Sequence, residues 1–140
     1  MTEYDFILRL VLALVFGGVI GIERKRVGKA AGFRTQMMVC LGSALFTILS
    51  FYGAQFAGFD NVDPSRIAAG IVVGIGFLGA GTIIHSQGEV VGLTTAAGIW
   101  VVAAIGMALG LGLFVLAGVT TILSLFILFL MEKAERRFKM

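Results

Sequence analysis

Long apolar runs alternate with short polar segments along the chain. The runs cover about residues 6–22, 36–57, 66–84, 93–109 and 111–131. Each approaches the roughly 20 residues with which a helix crosses about 30 Å of hydrocarbon. The pattern predicts an all-α integral membrane protein, a bundle of five transmembrane helices forming a single domain over residues 1–140. Residues 92–131 are almost uninterrupted. One helix over that stretch would be roughly 60 Å long, about twice the hydrocarbon thickness, so it must break. Gly106, Gly110 and Gly112 are the expected turn, because glycine adopts backbone conformations that other residues resist.

Composition points the same way, with 59% hydrophobic and 14% charged residues, where a soluble domain is close to half apolar and a quarter charged. The start, MTEYDF, carries acids where a secretory signal carries cations, so the first run is read as a retained span. Arg24, Lys25, Arg26, Lys29 and Arg34 crowd the first loop, and Lys133, Arg136, Arg137 and Lys139 the tail. With five spans both clusters share one side, which the positive-inside bias makes the cytoplasm. The amino terminus is then outside and the carboxy terminus cytoplasmic. The cations serve topology and attraction to the lipid bilayer, at about 1 kcal/mol each near an anionic surface, and no nucleic acid is expected as a partner. Arg9, about one turn inside the first span, either snorkels to the outer headgroups or faces a partner or cavity. Cys40, the single cysteine, is read as a small packing residue.

The stretch GIGFLGAG, residues 74–81, has the G-x-G-x-x-G spacing of a dinucleotide-binding turn. That turn needs a strand before it, a helix after it and an acid roughly 20 residues on. No acid stands near Ala96, and an open sheet is not tolerated in lipid. Helix packing is the competing account. Gly70 and Gly74 form a small-xxx-small pair that Gly76, Gly79 and Gly81 extend, which predicts a central third span. The small residues of TTAAG and VVAAIG would face it, and Gly17, Gly18 and Gly21 would play the same part in the first span. A third account lets the glycine-rich helix unwind and line a pore with its carbonyls. Against that account, spans two to five have no Asp or Glu in their middles.

Asp63 precedes Pro64 as an N-cap precedes a proline at the first helical position, at the start of the third span beside Arg66. Asp60 and Asp63 are the metal candidates, since Mg2+ favours one or two carboxylates with retained waters. Thr94 or Thr95 is the expected cap of the fourth span, at a helix end suited to an anion or a partner carboxylate. His85 is a lone histidine, and Trp100 is expected to pack against another helix. Glu23 and Arg24 end the first span while Arg34 and Thr35 open the second. Charges so near the hydrocarbon boundary tend to pair across helices, which predicts a contact between Glu23 and Arg34.

The segments GGVIGIERKR, AGFRTQ, DPSRIAAG, GIGFLGAGTI and GLTTAAGIW, followed by AIGMALGLG, resemble in this order the transmembrane domain of the MgtC/SapB family. The resemblance implies a multi-pass bacterial inner-membrane protein linked to Mg2+ homeostasis under Mg2+ limitation and, in pathogens, to virulence. Longer members carry a soluble carboxy-terminal domain, so this chain is expected to be a short form. The resemblance implies modulation of other membrane proteins, the F-type ATP synthase foremost, more readily than transport. Two function classes follow: a non-enzymatic modulator acting through its helix faces, and a small homo-oligomeric channel or transporter for Mg2+ or another ion built on the third span. No catalytic residues and no cofactor other than Mg2+ are expected.

Overall fold

The computed structural model describes residues 2–56, 58, 63, 65–86 and 89–138. They form the helices α1 (Glu3–Arg26), α2 (Phe33–Phe56), α3 (Ser65–Ala80), α4 (Leu93–Leu111) and α5 (Phe114–Phe138), with strands β1 (Ile84–Ser86) and β2 (Glu89–Val91) between α3 and α4. Each helix falls on one of the apolar runs. Three segments, Glu3–Arg26, Phe33–Gly53 and Leu93–Leu111, are long and apolar enough to cross a membrane, whereas Ser65–Ala80 and Phe114–Leu130 are shorter. The protein is therefore a helical membrane protein.

Local chemistry sets the helix ends. At α1 the amide and hydroxyl of Thr2 donate to the Asp5 carboxylate at 2.8 and 3.0 Å, and Arg24, Lys25 and Arg26 occupy the last turn, where cations favour the helix dipole. The long apolar stretch breaks at Gly112, whose φ of 82° is left-handed. The Gly112 amide donates to the Leu109 carbonyl and the Leu113 amide to that of Ala108, which closes the last turn of α4. Only one of the three expected turn glycines makes the break. Gly106 and Gly110 stay within α4 and do different work.

That work is packing. A Cβ on Gly17 would stand 2.7 Å from the Gln36 carbonyl oxygen, and one on Gly21 2.7 Å from the Phe33 Cα, so α1 lies backbone to backbone on α2. One on Gly106 would strike the Cys40 carbonyl oxygen, and one on Gly110 would lie 2.7 Å from that of Ala44. As Gly106 gives way to Gly110, Cys40 gives way to Ala44, so α4 runs parallel to α2, while α1 runs against both. The core of Ala13, Ile20, Cys40, Ala44, Ile99, Val102, Ile105 and Leu109 fills the space between these three helices.

The third helix is not at the centre, contrary to the packing expectation. A Cβ on Gly70, Gly74 or Gly76 would meet nothing within 4 Å, and α3 buries only Ile71, Ile75 and Gly79. Only Gly79 touches a neighbour as foreseen, with its Cβ position 3.6 Å from Ala96. Gly81 lies past the helix end, near the Leu78 carbonyl. Bare faces on α1 and α4 had already taken the two sides of α2. Trp100 is also not packed away, since it is 54% exposed.

The polar segment after α3 forms an antiparallel hairpin, with Ile84 paired to Val91, His85 to Val90 and Ser86 to Glu89. It leaves through Gly92 at φ 96°, where any side chain would collide with the Thr82 carbonyl. Gly92 thereby becomes the N-cap of α4 without a side-chain cap, so Thr94 and Thr95 are first-turn residues and not caps. A glycine was needed to turn out of the strand, and the capping position went with it.

Candidate functional site

Polar side chains gather at the two ends of the core, and an apolar groove opens on its side. At the end of α1, Arg24 donates through Nε to Glu23 Oε2 at 2.6 Å and through Nη2 to Oε1 at 3.0 Å. Both side chains are almost wholly buried, and theirs is the one ion pair among the described residues. The expected contact between Glu23 and Arg34 does not form, because Arg34 and Thr35 open α2 exposed to the surroundings. Adjacent helical residues do not ordinarily face each other, which hides this pair from a spacing argument. The planar guanidinium nevertheless reaches both carboxylate oxygens.

Gln36 is fully buried next to Gly21 and donates through Nε2 to the Ala31 carbonyl at 3.3 Å. Arg24 Nη1 and Gln36 Oε1 have no partner in the structure. Thr95 is buried at the start of α4, while Thr94 is exposed. Thr95 and the Glu23–Arg24–Gln36 group thus lie at the same end of the three core helices.

At the opposite end Arg9 is 6% exposed. It donates to the Gly110 carbonyl at 2.5 Å and to the Tyr52 hydroxyl at 3.3 Å. Its guanidinium stands 5.8 Å from the Phe6 ring centre and 5.4 Å from that of Tyr52. Of the two readings of Arg9, the structure selects the inward one, a cation facing protein at the carbonyl end of α4.

Asp63 behaves as a cap. Its Oδ1 accepts from the Ser65 hydroxyl at 2.7 Å and the Ser65 amide at 2.9 Å, the second of these being the bond an N-cap makes two residues on. The same two donors, the hydroxyl first, hold its carboxyl below the usual carboxylate range. Arg66 is exposed. Asp60 and Pro64 lie outside the described residues. Among the described residues no group of three or more His, Cys, Asp and Glu could hold a metal ion.

Gly70 and Gly74 of α3 line a groove of about 530 Å³ between α2 and α3. Gly42, Ser43 and Phe46 form one wall, and Gly70, Ile71 and Gly74 form the other. Like its counterparts on α3, Gly42 meets nothing within 4 Å. Ser43 is 3% exposed, and its hydroxyl has no partner in the structure. Neither Gly42 nor Ser43 stood out in the sequence, because one small residue beside another is common in any apolar span.

The family model described as MgtC family matches residues 10–137 of the chain. YhiD of Escherichia coli (strain K12) is 50% identical over 127 residues, covering 89% of this chain and 59% of its own length. MgtC of Salmonella typhimurium (strain LT2) is 42% identical over 137 residues, covering 98% and 57%. SrpB of Synechococcus elongatus is 39% identical over 137 residues, covering 91% and 75%. The chain thus spans a little under three fifths of the length of YhiD and of MgtC. No solved structure matches it.

Proposed function

The chain belongs to the MgtC family, and we propose that it is a non-enzymatic protein of the bacterial inner membrane that serves Mg2+ homeostasis by binding other membrane proteins. The observation that carries this reading is the α2/α3 groove. Ser43 lies about 15 Å along α2, near the middle of a 30 Å hydrocarbon layer. A helix of another protein can approach closely over the bare backbone of Gly42, Gly70 and Gly74, where an added side chain would meet nothing within 4 Å. The family resemblance makes the F-type ATP synthase the first partner to examine.

The distribution of charged groups favours binding over conduction. Glu23 and Arg24 lie at one end and Arg9 at the other, and between them stand Ala13, Cys40, Ala44 and Val102 of the apolar core with the buried hydroxyls of Ser43 and Thr47. A pathway for ions needs charged side chains or carbonyls turned toward a pore through that middle. In our reading five crossings, with the amino terminus outside, place the basic first loop and Lys133 in the cytoplasm. The shared direction of α2 and α4 supports this alternation.

The second reading is a homo-oligomeric channel or transporter with α3 at its axis. It is favoured by the outward-facing Gly76 and by YhiD, whose name proposes magnesium transport. Liposomes containing only this protein and a trapped Mg2+ indicator separate the two. We expect flux no greater than in empty liposomes. Specific flux that Gly74→Leu or Gly76→Leu abolishes would replace the binding reading with the transport one.

A further inference from the structure

The turn joining α1 to α2 and the helix ends beside it carry four cations that no described residue compensates. Lys25, Arg26, Lys29 and Arg34 are exposed and form no ion pair among the described residues. Glu23, the nearest acid in sequence, is buried and bound to Arg24. The four cations surround two adjoining cavities. One, of about 460 Å³, is bordered by Lys25, Lys29 and Arg34. The other, of about 500 Å³, is bordered by Lys25 and Arg26 together with the apolar Ile22 and Phe33.

Lys25 borders both cavities, and its Cβ lies 3.6 Å from the Cβ position of Gly32. Phe33 also borders both. Its ring lies over Gly18 of α1, 3.2 Å from the Cβ position there, and covers the seam between α1 and α2. The site therefore has a cationic half facing water and an apolar half descending toward the hydrocarbon. Free inorganic phosphate would use only the first half. A neutral lipid would leave the cations unanswered.

We infer that these cavities bind an anionic phospholipid, its phosphate held by Lys25, Lys29 and Arg34 and its first acyl carbons lying on Ile22 and Phe33. Basic pockets at the membrane face between spans suit such headgroups, each nearby cation adding to the attraction. The inference stands independently of the partner-binding reading, because it uses a different surface and a different ligand.

The test uses the full chain, delipidated in mild detergent and titrated with phosphatidylglycerol, phosphatidylcholine or inorganic phosphate, with bound lipid counted by native mass spectrometry. Phosphatidylglycerol should saturate at a small fixed number, and phosphatidylcholine and inorganic phosphate should bind far more weakly. The triple variant Lys25→Gln/Lys29→Gln/Arg34→Gln should weaken phosphatidylglycerol about a hundredfold. Lys29→Gln alone, a single change in an exposed loop, should weaken it several-fold, which keeps the inference testable if the triple variant fails to fold. Phe33→Ala should weaken the lipid while leaving residual phosphate binding unchanged, and Lys133→Gln should change neither. The inference is overturned if phosphatidylglycerol binding survives the loop variants, or if Lys133→Gln lowers it as much as they do. Inorganic phosphate binding as tightly as the lipid would equally overturn it, by making the site one for phosphate alone.

Discussion

The glycines of α1 and α4 and those of α3 carry the same small-xxx-small spacing and meet opposite fates. A side chain added at Gly17, Gly21, Gly106 or Gly110 would strike the backbone of α2, whereas one added at Gly70, Gly74 or Gly76 would meet nothing within 4 Å. Spacing announces that a helix face can be approached closely. It does not say by what, and within this chain α2 has room for two such neighbours.

The largest effect should come from the charged end of the core. Glu23→Gln leaves Arg24 buried without its carboxylate and should destabilise the protein by about 3–5 kcal/mol. Unfolding in detergent should show this, with the double variant Glu23→Gln/Arg24→Gln recovering part of the loss. An unaltered midpoint in the single variant would mean that the pair is hydrated and not part of the core. Next comes the direct contrast. Gly106→Ala should lose about 1–3 kcal/mol through overpacking, while Gly74→Ala should stay within about 0.5 kcal/mol. Equal losses at both positions would dissolve the distinction between the two glycine sets. Gly112→Ala, forced into a left-handed turn beside the Arg9 guanidinium, should lose about 1–2 kcal/mol, measured in the same way.

The smallest effect concerns α3 alone. The Asp63 carboxyl titrates below its ordinary value because of the Ser65 bonds. Its contribution is therefore present above the unfolded-state value of about 4 and fades as pH falls through the lower folded value. Hydrogen-exchange protection, taken relative to the intrinsic rate at each pH, should fall in the first turn of α3 on acidification while the α1, α2 and α4 amides stay protected. Asp63→Asn should remove that pH dependence. Simultaneous loss of protection in all four helices would show that α3 is as firmly held as the core.

These two regions also show what a sequence can carry. The apolar runs located all five helices because hydropathy over about 20 residues is a strong signal. The packing role of Gly17, Gly18 and Gly21 was equally legible. The hairpin was not, since strands of three residues are too short to display an alternating period. The buried Glu23–Arg24 pair escaped because neighbours in sequence are ordinarily poor partners on a helix. The peripheral place of α3 escaped because its glycines are indistinguishable in pattern from those pressed into the core. Ser43 became noticeable only when its hydroxyl was found buried and alone.

The parallel course of α2 and α4 has an electrical consequence. Antiparallel neighbours cancel each other's peptide dipoles, but these two add, so their carbonyl ends form one negative pole and their amide ends one positive pole. Arg9 reaches the Gly110 carbonyl and Tyr52, in the last turns of both helices, and so places a cation on the negative pole. The Glu23 carboxylate lies toward the positive one. Of the three buried charges on α1, Arg9 and Glu23 stand at the poles that favour them, while Arg24, neutralised by Glu23, stands at the pole that does not. The backbone field of the neighbours thus favours one direction of α1 against them, mainly through Arg9.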